Sequence, residues 1–187
     1  ERDNIRLGTE NYQSRFYKHY FYIDTNNIDE YEHHINEICH DYLKSLYWNF
    51  EYYFVGLKDF EWFYPYPKTP FTSDIYNYMM DKPDLEFEFM KTNPPRPMTQ
   101  LLMVLPPQSS HLLPNNYQLL MKNENSNIIQ YYPTHFKSDM INKRYLHECY
   151  PYLPLIDYKH VLSVLENIKL NKTDGSRNIF RKDVMIK

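Results

Sequence analysis

Residues 27–70 read NIDEYEHHINEICHDYLKSLYWNFEYYFVGLKDFEWFYPYPKTP, and the fold follows from how this stretch divides. Its first thirty residues predict one long helix over about Ile28–Val55. Asn27 is an N-cap residue, Glu30 stands in the reciprocal position three residues on, and Asp29 suits the positive end of the helix dipole. Ile35, Ile38, Tyr42, Leu46, Phe50 and Tyr53 recur at steps of three and four, which draws a single apolar stripe. Gly56 then occupies the position where a left-handed residue closes a helix. Such a helix is roughly 40 Å long at about 1.5 Å per residue. After Trp62 the pattern changes. Pro65, Pro67 and Pro70 forbid helix, so the rings between them must sit in an extended, ordered loop.

On either side the elements are shorter. Residues 1–11 form a polar lead-in, followed by an aromatic segment from Tyr12 to Phe21 that carries Arg15 and Lys18. Asp74–Met80 predicts a short helix, and 81–97, with Pro83, Pro94, Pro95 and Pro97, a connector without periodic pattern. Met98–Leu105 and Asn115–Met121 predict two more helices, the first stopped by Pro106–Pro107 and the second entered from Pro114. Asn123–Asn127 is a turn. Ile128–Tyr132 and Arg144–Cys149 fit short strands. Asp157 caps a last helix with Val161, Leu162, Leu165 and Ile168 on one face, and a polar tail at 171–187 is expected to fray. The expected class is therefore α+β and mainly helical: one long helix, shorter helices, ordered Pro/aromatic loops and a few short strands. Neither repeats nor an internal domain boundary are apparent, so 1–187 is read as a single domain or a fragment, a reading that the opening Glu1 also invites.

The composition is rich in rings, with 20 Tyr, 11 Phe and 2 Trp against 3 Gly and no Ala. Use of Tyr, Asn, Lys and Ile in place of Ala and Gly fits an AT-biased genome, viral or parasitic. Physically, the rings give large buried area per side chain, and their hydroxyls need partners. A net charge of −3 excludes a uniformly basic nucleic-acid binder. The charge is uneven: residues 1–88 carry 8 basic and 17 acidic groups, and 89–187 carry 13 basic and 7 acidic. A basic second half can face phosphate or be ordinary solvated surface. No apolar run approaches the roughly 18 residues of a membrane span, and no secretory leader is visible. Cys39 and Cys149 make no disulfide framework, which reads as an intracellular chain, cytoplasmic or nuclear, with free thiols.

Within Ser45–Pro70, the residues Leu46, Trp48, Tyr52, Tyr53, Gly56, Trp62, Phe63, Tyr64, Pro65, Tyr66 and Pro70 match, without insertion, a pattern approximately GLxWxLxYYxxGxxSWxWFYPYHYAP, and Ser73-Asp74 continue it. This resembles the second conserved region of the Xrn family of 5'→3' exoribonucleases, the C-terminal half of its nuclease core. The likeness extends over about residues 7–170: Leu7-Gly8 and Arg15-Phe16-Tyr17 upstream, then PMTQLLMVLP at 97–106, SSHLLPNNYQLLM at 109–121, SNIIQYYPTHFKSD at 126–139 and LPLID at 153–157. There are departures. Pro67-Lys68-Thr69 replace the family's His-Tyr-Ala, Phe60 and His147 stand where Trp is usual, and His135 where Asp is.

The resemblance implies a loop that borders the active-site pocket of an enzyme degrading 5'-monophosphorylated, single-stranded RNA. Trp62 is then the leading stacking residue, with Tyr64, Tyr66 and Lys68 beside it. Every base has a π-face, and stacking on such rings contributes roughly 1–3 kcal/mol per base. The bland alternative is that Trp62 and Phe63 fill space under the long helix. Phosphoryl chemistry needs clustered carboxylates on Mg²⁺. In the family these acids lie N-terminal to everything present here, so the resemblance implies a catalytic half, in cis or in trans, that binds the Mg²⁺. Asp24, Asp29, Glu30, Glu32, Glu37 and Asp41 read instead as a solvated helix start. No catalytic residue and no metal ligand is assigned within the chain. His33, His34, Cys39 and His40, with His147 and Cys149, match no common zinc spacing. Asn171-Lys172-Thr173 is a formal glycosylation sequon, without meaning in an intracellular protein, and Lys137, Lys143 and Arg144 are as well explained by solvent as by phosphate. The altered edge at 67–69 leaves a second reading open, a non-catalytic RNA-binding or structural protein, viral in origin, derived from the same fold.

Overall fold

The structure is a computed structural model that describes residues 3–24, 26–141 and 143–180. It is mainly helical, with a single two-residue strand pair among the described residues. The chain divides into two compact units, 1–93 and 94–187.

In the first unit, α1 (Tyr12–Phe21) is a regular helix, where the sequence suggested only an aromatic segment. Asn11 and Tyr22 bracket it in left-handed conformation. Its inward face buries Tyr17 and Tyr20 at the three-residue helical step. The predicted long helix is present as α2 (Ile28–Phe50), with the Asn27 side chain accepting from the Glu30 amide. Its last turn differs from expectation. Glu51–Val55 widens into a π-helix, closed by the Gly56 amide donating to the Glu51 carbonyl at 2.7 Å. Gly56 has φ 115° and ψ 131°, which is not the left-handed cap but is equally reserved for glycine. α3 (Thr72–Asp81) packs on α2.

The core of this unit is ringed: Tyr17, Ile23 and Ile38 are buried among Phe16, Phe21, Tyr31, Ile35, Tyr66 and Phe71. The Tyr17 hydroxyl donates to Asp74 Oδ2 at 2.5 Å and accepts from the Phe71 amide at 3.2 Å, tying α1 to the start of α3. Burial and the Asp74 carboxylate push the Tyr17 phenol well above its ordinary range. Burial likewise pushes the Cys39 thiol up to about 12, so this free cysteine is an inert core group.

Residues 81–97 are not patternless as expected. Leu85, Phe87 and Phe89 are half-buried while Glu86, Glu88 and Met90 are exposed, the period-two pattern of extended chain. That alternation lays Phe87 and Phe89 against Tyr47 of α2, with ring centroids 5.8 and 6.2 Å apart.

The second unit comprises α4 (Pro97–Val104), a 3₁₀ turn at Pro107–Leu112, α5 (Asn115–Lys122), α6 (Tyr158–Leu165) and α7 (Lys172–Arg177). Its core is aliphatic. Met98, Leu102, Leu113, Met121, Ile128 and Val161 close around Tyr117 and Tyr132, whose hydroxyl donates to the Leu102 carbonyl at 2.6 Å. Asp157 caps α6 by accepting from the His160 amide, as its position predicted.

The two strands expected at 128–132 and 144–149 are absent. Ile129–Tyr131 forms a 3₁₀ turn instead, in which the Ile129, Tyr131 and Tyr132 amides each donate three residues back. At Leu146–Glu148 the Glu148 carboxylate accepts from the Arg144 and Tyr145 amides at 2.9 and 3.0 Å, closing a local capping box. These two bonds hold the Glu148 carboxyl below its usual range. The strand pair lies elsewhere, with β1 (Ser138–Asp139) antiparallel to β2 (Tyr150–Pro151). The expected fraying from residue 171 is also corrected. Asn171 caps α7 by accepting from the Asp174 amide at 2.8 Å, and beyond it buried Asn178 accepts from the Met98 amide at 2.9 Å. Residues 181–187 of that tail lie outside the described residues.

Candidate nucleic-acid interface

The aromatic loop begins at Asp59, and this buried carboxylate sets its shape. Asp59 Oδ1 accepts from the Glu61 and Trp62 amides at 3.0 and 3.1 Å and from the Thr92 hydroxyl at 3.2 Å. The Thr92 hydroxyl in turn accepts from the Phe60 amide at 2.7 Å, and its own amide donates to the Lys58 carbonyl. The loop is therefore clasped from within and pinned to the connector. Trp48 fastens it to α2, its indole N–H donating to the Asp59 carbonyl at 2.9 Å.

Trp62 is half-buried in this frame. Its ring lies 6.4 Å from Trp48 and meets Phe89 edge-on at 5.6 Å, and Lys44 Nζ stands 5.8 Å from its centroid. The residue is thus both packed and accessible, between the two readings of the sequence. Tyr64 and Tyr66 are also half-buried, edge to face at 5.3 Å. The Tyr64 hydroxyl donates to the Lys68 carbonyl at 2.8 Å, and Tyr66 leans on Phe21 at 5.7 Å. Burial pushes both phenols upward, and Tyr66 is raised further by Asp41. Lys68 folds back so that Nζ lies 4.7 Å above the Tyr20 ring. Trp62 thus packs with Trp48, Phe89 and Lys44, whereas Tyr64, Tyr66 and Lys68 pack with one another and with rings of α1.

Sequence reasoning missed Lys44, Phe89 and the Asp59–Thr92 clasp. The alternation over 85–90 was a readable signal for Phe89. Nothing local signals that Asp59 and Thr92, 33 positions apart, meet.

The end of α2 beside this loop is bare. The apolar stripe of the helix is covered at Ile35 and Ile38 but exposed at Leu46, Phe50 and Tyr53, and Tyr53 and Phe54 are 74% and 77% exposed. Glu51 is the exception at 4%, bonded to Lys58 Nζ at 2.8 Å.

Asp24 and Glu30 are occupied by the Asn26 and Asn27 side chains at the entry to α2. Among the described residues no group of three or more His, Cys, Asp or Glu side chains is placed to hold a metal ion. His33 pairs with Glu37 at 3.5 Å, and His40 Nδ1 bonds the Tyr78 hydroxyl at 3.0 Å. This donor set does not fit a Mg²⁺ site. No described helix is long and apolar enough to cross a membrane.

The family model described as the Xrn1 helical domain matches residues 1–187. The chain is 35% identical over 186 residues to a 5'-3' exoribonuclease 2 of Neurospora crassa, covering 98% of this chain and 17% of that protein. It is 37% identical over 185 residues to the human 5'-3' exoribonuclease 1, covering 95% of this chain and 11% of that protein. With the Arabidopsis thaliana 5'-3' exoribonuclease 2 it shares 33% identity over 174 residues, again 17% of the longer protein. The chain therefore spans less than a fifth of the length of these relatives. With a family model matched along its entire length, the chain belongs to the Xrn1 helical domain family.

Proposed function

We propose that this chain is part of a larger 5'→3' exoribonuclease, corresponds to the second conserved region of that family, and forms the aromatic wall of the pocket that receives 5'-monophosphorylated RNA. The observation that carries the reading is the clasped loop. Asp59 and Thr92 fix the backbone that leads into Trp62, so its ring is held in position before RNA arrives. Rings fixed in advance lose little freedom on stacking, and their preference for any base suits a processive enzyme. Tyr64 and Tyr66 lie further along the same loop, and Lys44 places positive charge over the Trp62 ring.

The catalytic acids and the Mg²⁺ they hold belong to the part of the parent outside this chain, in cis or in trans. The uncovered stripe at Leu46, Phe50, Tyr53 and Phe54 fits docking onto that part, since contiguous exposed rings of this kind mark interfaces.

Binding of labelled single-stranded RNA, followed by fluorescence anisotropy, tests the wall. Trp62→Ala is expected to weaken binding roughly 5- to 150-fold, the loss of one stacked base. Equal, negligible affinity in both proteins would reject RNA contact in favour of a structural role. With Mg²⁺ added, the chain alone is expected to leave 5'-monophosphorylated RNA intact, and turnover would move the catalytic acids into residues 1–187.

One observation favours the second reading, a binding protein that has lost the reaction. In the altered tripeptide, Lys68 is spent inside the fold, its ammonium over Tyr20 and its carbonyl under the Tyr64 hydroxyl. A parent sequence without an acid-rich nuclease half would select that reading.

A further inference from the structure

The segment that joins β1 to β2 takes no part in the aromatic site, yet it carries rings of its own. Glu148 closes its turn: the carboxylate accepts from the Arg144 and Tyr145 amides, which fixes the backbone under both residues. On that backbone Tyr145 and His147 lie stacked, with ring centroids 5.4 Å apart and planes 9° from parallel. The Arg144 guanidinium stands 5.3 Å from the Tyr145 centroid. All three side chains are exposed, so the stack covers no core. Tyr150 and Tyr152, at the two-residue step of extended chain, are exposed as well and meet edge to face at 6.3 Å. The charges are sorted in the same sense. Every carboxylate from 137 to 157 accepts from backbone amides: Asp139, 1% exposed, from Ile141 at 3.0 Å, Asp157 from His160 at 3.1 Å, and Glu148 as described. Lys143 also helps to hold the Glu148 carboxyl low. Lys137, Lys143 and Arg144 all face solvent.

We infer that this turn is a stacking platform for the bases of single-stranded RNA, in addition to the Trp62 loop. Parallel rings held by a backbone clamp are ordered before a ligand arrives, so little freedom is lost when a base joins the stack. Unpaired bases stack on tyrosine, histidine or a guanidinium plane alike, whereas in a duplex their faces are already taken. The exposed cations attract the phosphates that accompany those bases. An acidic peptide would answer to the cations but has no use for parallel ring faces. The construction repeats the one at Trp62, where the Asp59 carboxylate likewise takes the amides that lead into a ring. The choice of RNA rests on the function proposed above; the stack and the sorting of charge stand on their own residues.

Anisotropy titrations of the full chain with a labelled uridine oligomer, between about 50 and 200 mM salt, test it. Tyr145→Ala/His147→Ala is expected to bind roughly 5- to 150-fold more weakly, the loss of one stacked base, with its salt dependence unchanged. Tyr145→Phe/His147→Phe keeps two rings and should bind as the wild type does. Arg144→Gln should flatten log affinity against log salt by about 0.7, one phosphate contact on a single strand. Thermal melting should match the wild type in every variant, because the altered side chains are exposed and Glu148 closes the turn without them. Wild-type affinity in the alanine variant, or a phenylalanine variant as weak as the alanine one, would overturn the platform and leave the Trp62 wall untouched. A silent Trp62→Ala beside a defective alanine variant would reject the wall and keep the platform. An abasic oligomer that binds as tightly as the RNA would overturn stacking at both places, as would a wild type that binds no RNA.

Discussion

The core of residues 94–180 is aliphatic, with Leu102, Met121, Ile128 and Val161 almost wholly covered, whereas the first 93 residues are held by rings and by polar side chains that reach across loops. Aliphatic packing is non-directional, and its strength follows the area removed from water. A ring-and-carboxylate frame is directional: Tyr17 on Asp74, and Asp59 on two amides and Thr92, each fix an angle as well as a distance. The unit that presents Trp62 thus fixes its aromatic loop through a buried carboxylate. The unit with the conventional core carries exposed rings on a turn closed by an exposed one, Glu148.

The largest effect should come from the aliphatic side. Leu102 is 0% exposed, so Leu102→Ala should cost about 2–5 kcal/mol, read from denaturant unfolding. A cost below about 1 kcal/mol would mean that this core collapses around the gap, and that the contrast between the units is weaker than drawn.

Next is the clasp. Asp59→Ala leaves two amides and a hydroxyl without their acceptor, for about 1–3 kcal/mol. The chain has only 2 Trp, and both touch this loop, so intrinsic fluorescence should report the change directly. Stability lost with emission unaltered would break the link between clasp and ring placement.

Alkaline pH separates a buried phenol from its surroundings. Burial pushes Tyr132 from 10.0 to about 12, so the folded state keeps a proton that the unfolded state releases. Its contribution is complete below pH 10 and is lost as pH rises to about 12, with a slope of about 1.4 kcal/mol per pH unit. Tyr132→Phe should remove that slope from the pH dependence of unfolding, leaving the part owed to Tyr17 and Tyr64. An unchanged slope would exclude Tyr132 as its source.

The smallest test compares helix caps. Asp157 accepts from the His160 amide at 3.1 Å and Asn27 from the Glu30 amide at 3.5 Å. Asp157→Ala should cost about 1 kcal/mol and Asn27→Ala less, read from thermal unfolding. The reverse order would show that the long helix depends on its cap more than its packing implies.

Much of this was legible. The course of α2, the proline-stiffened loop and the caps at Asn27 and Asp157 are local events, because a cap or a proline acts within a few residues of itself. Some legible signals went unread. Asn171 and Asp174 stand at cap spacing and start α7, and Phe87 and Phe89 alternate with glutamates.

Other features were not local at all. The π-turn at Glu51–Val55 goes with a chain that doubles back until Lys58 reaches Glu51, and helical periodicity contains no such return. The strands expected at 128–132 and 144–149 gave way to turns because Glu148 and nearby carbonyls took the amides that a ladder needs. By itself the sequence determined the course of α2, the stiff aromatic loop and the resemblance that joined them, since periodicity, proline and capping act over a few residues. Tertiary structure alone decided that Asp59 would meet Thr92 and that Trp62 would be half covered. Those outcomes depend on which distant groups are brought within hydrogen-bonding or charge range, and only the folded chain sets those distances.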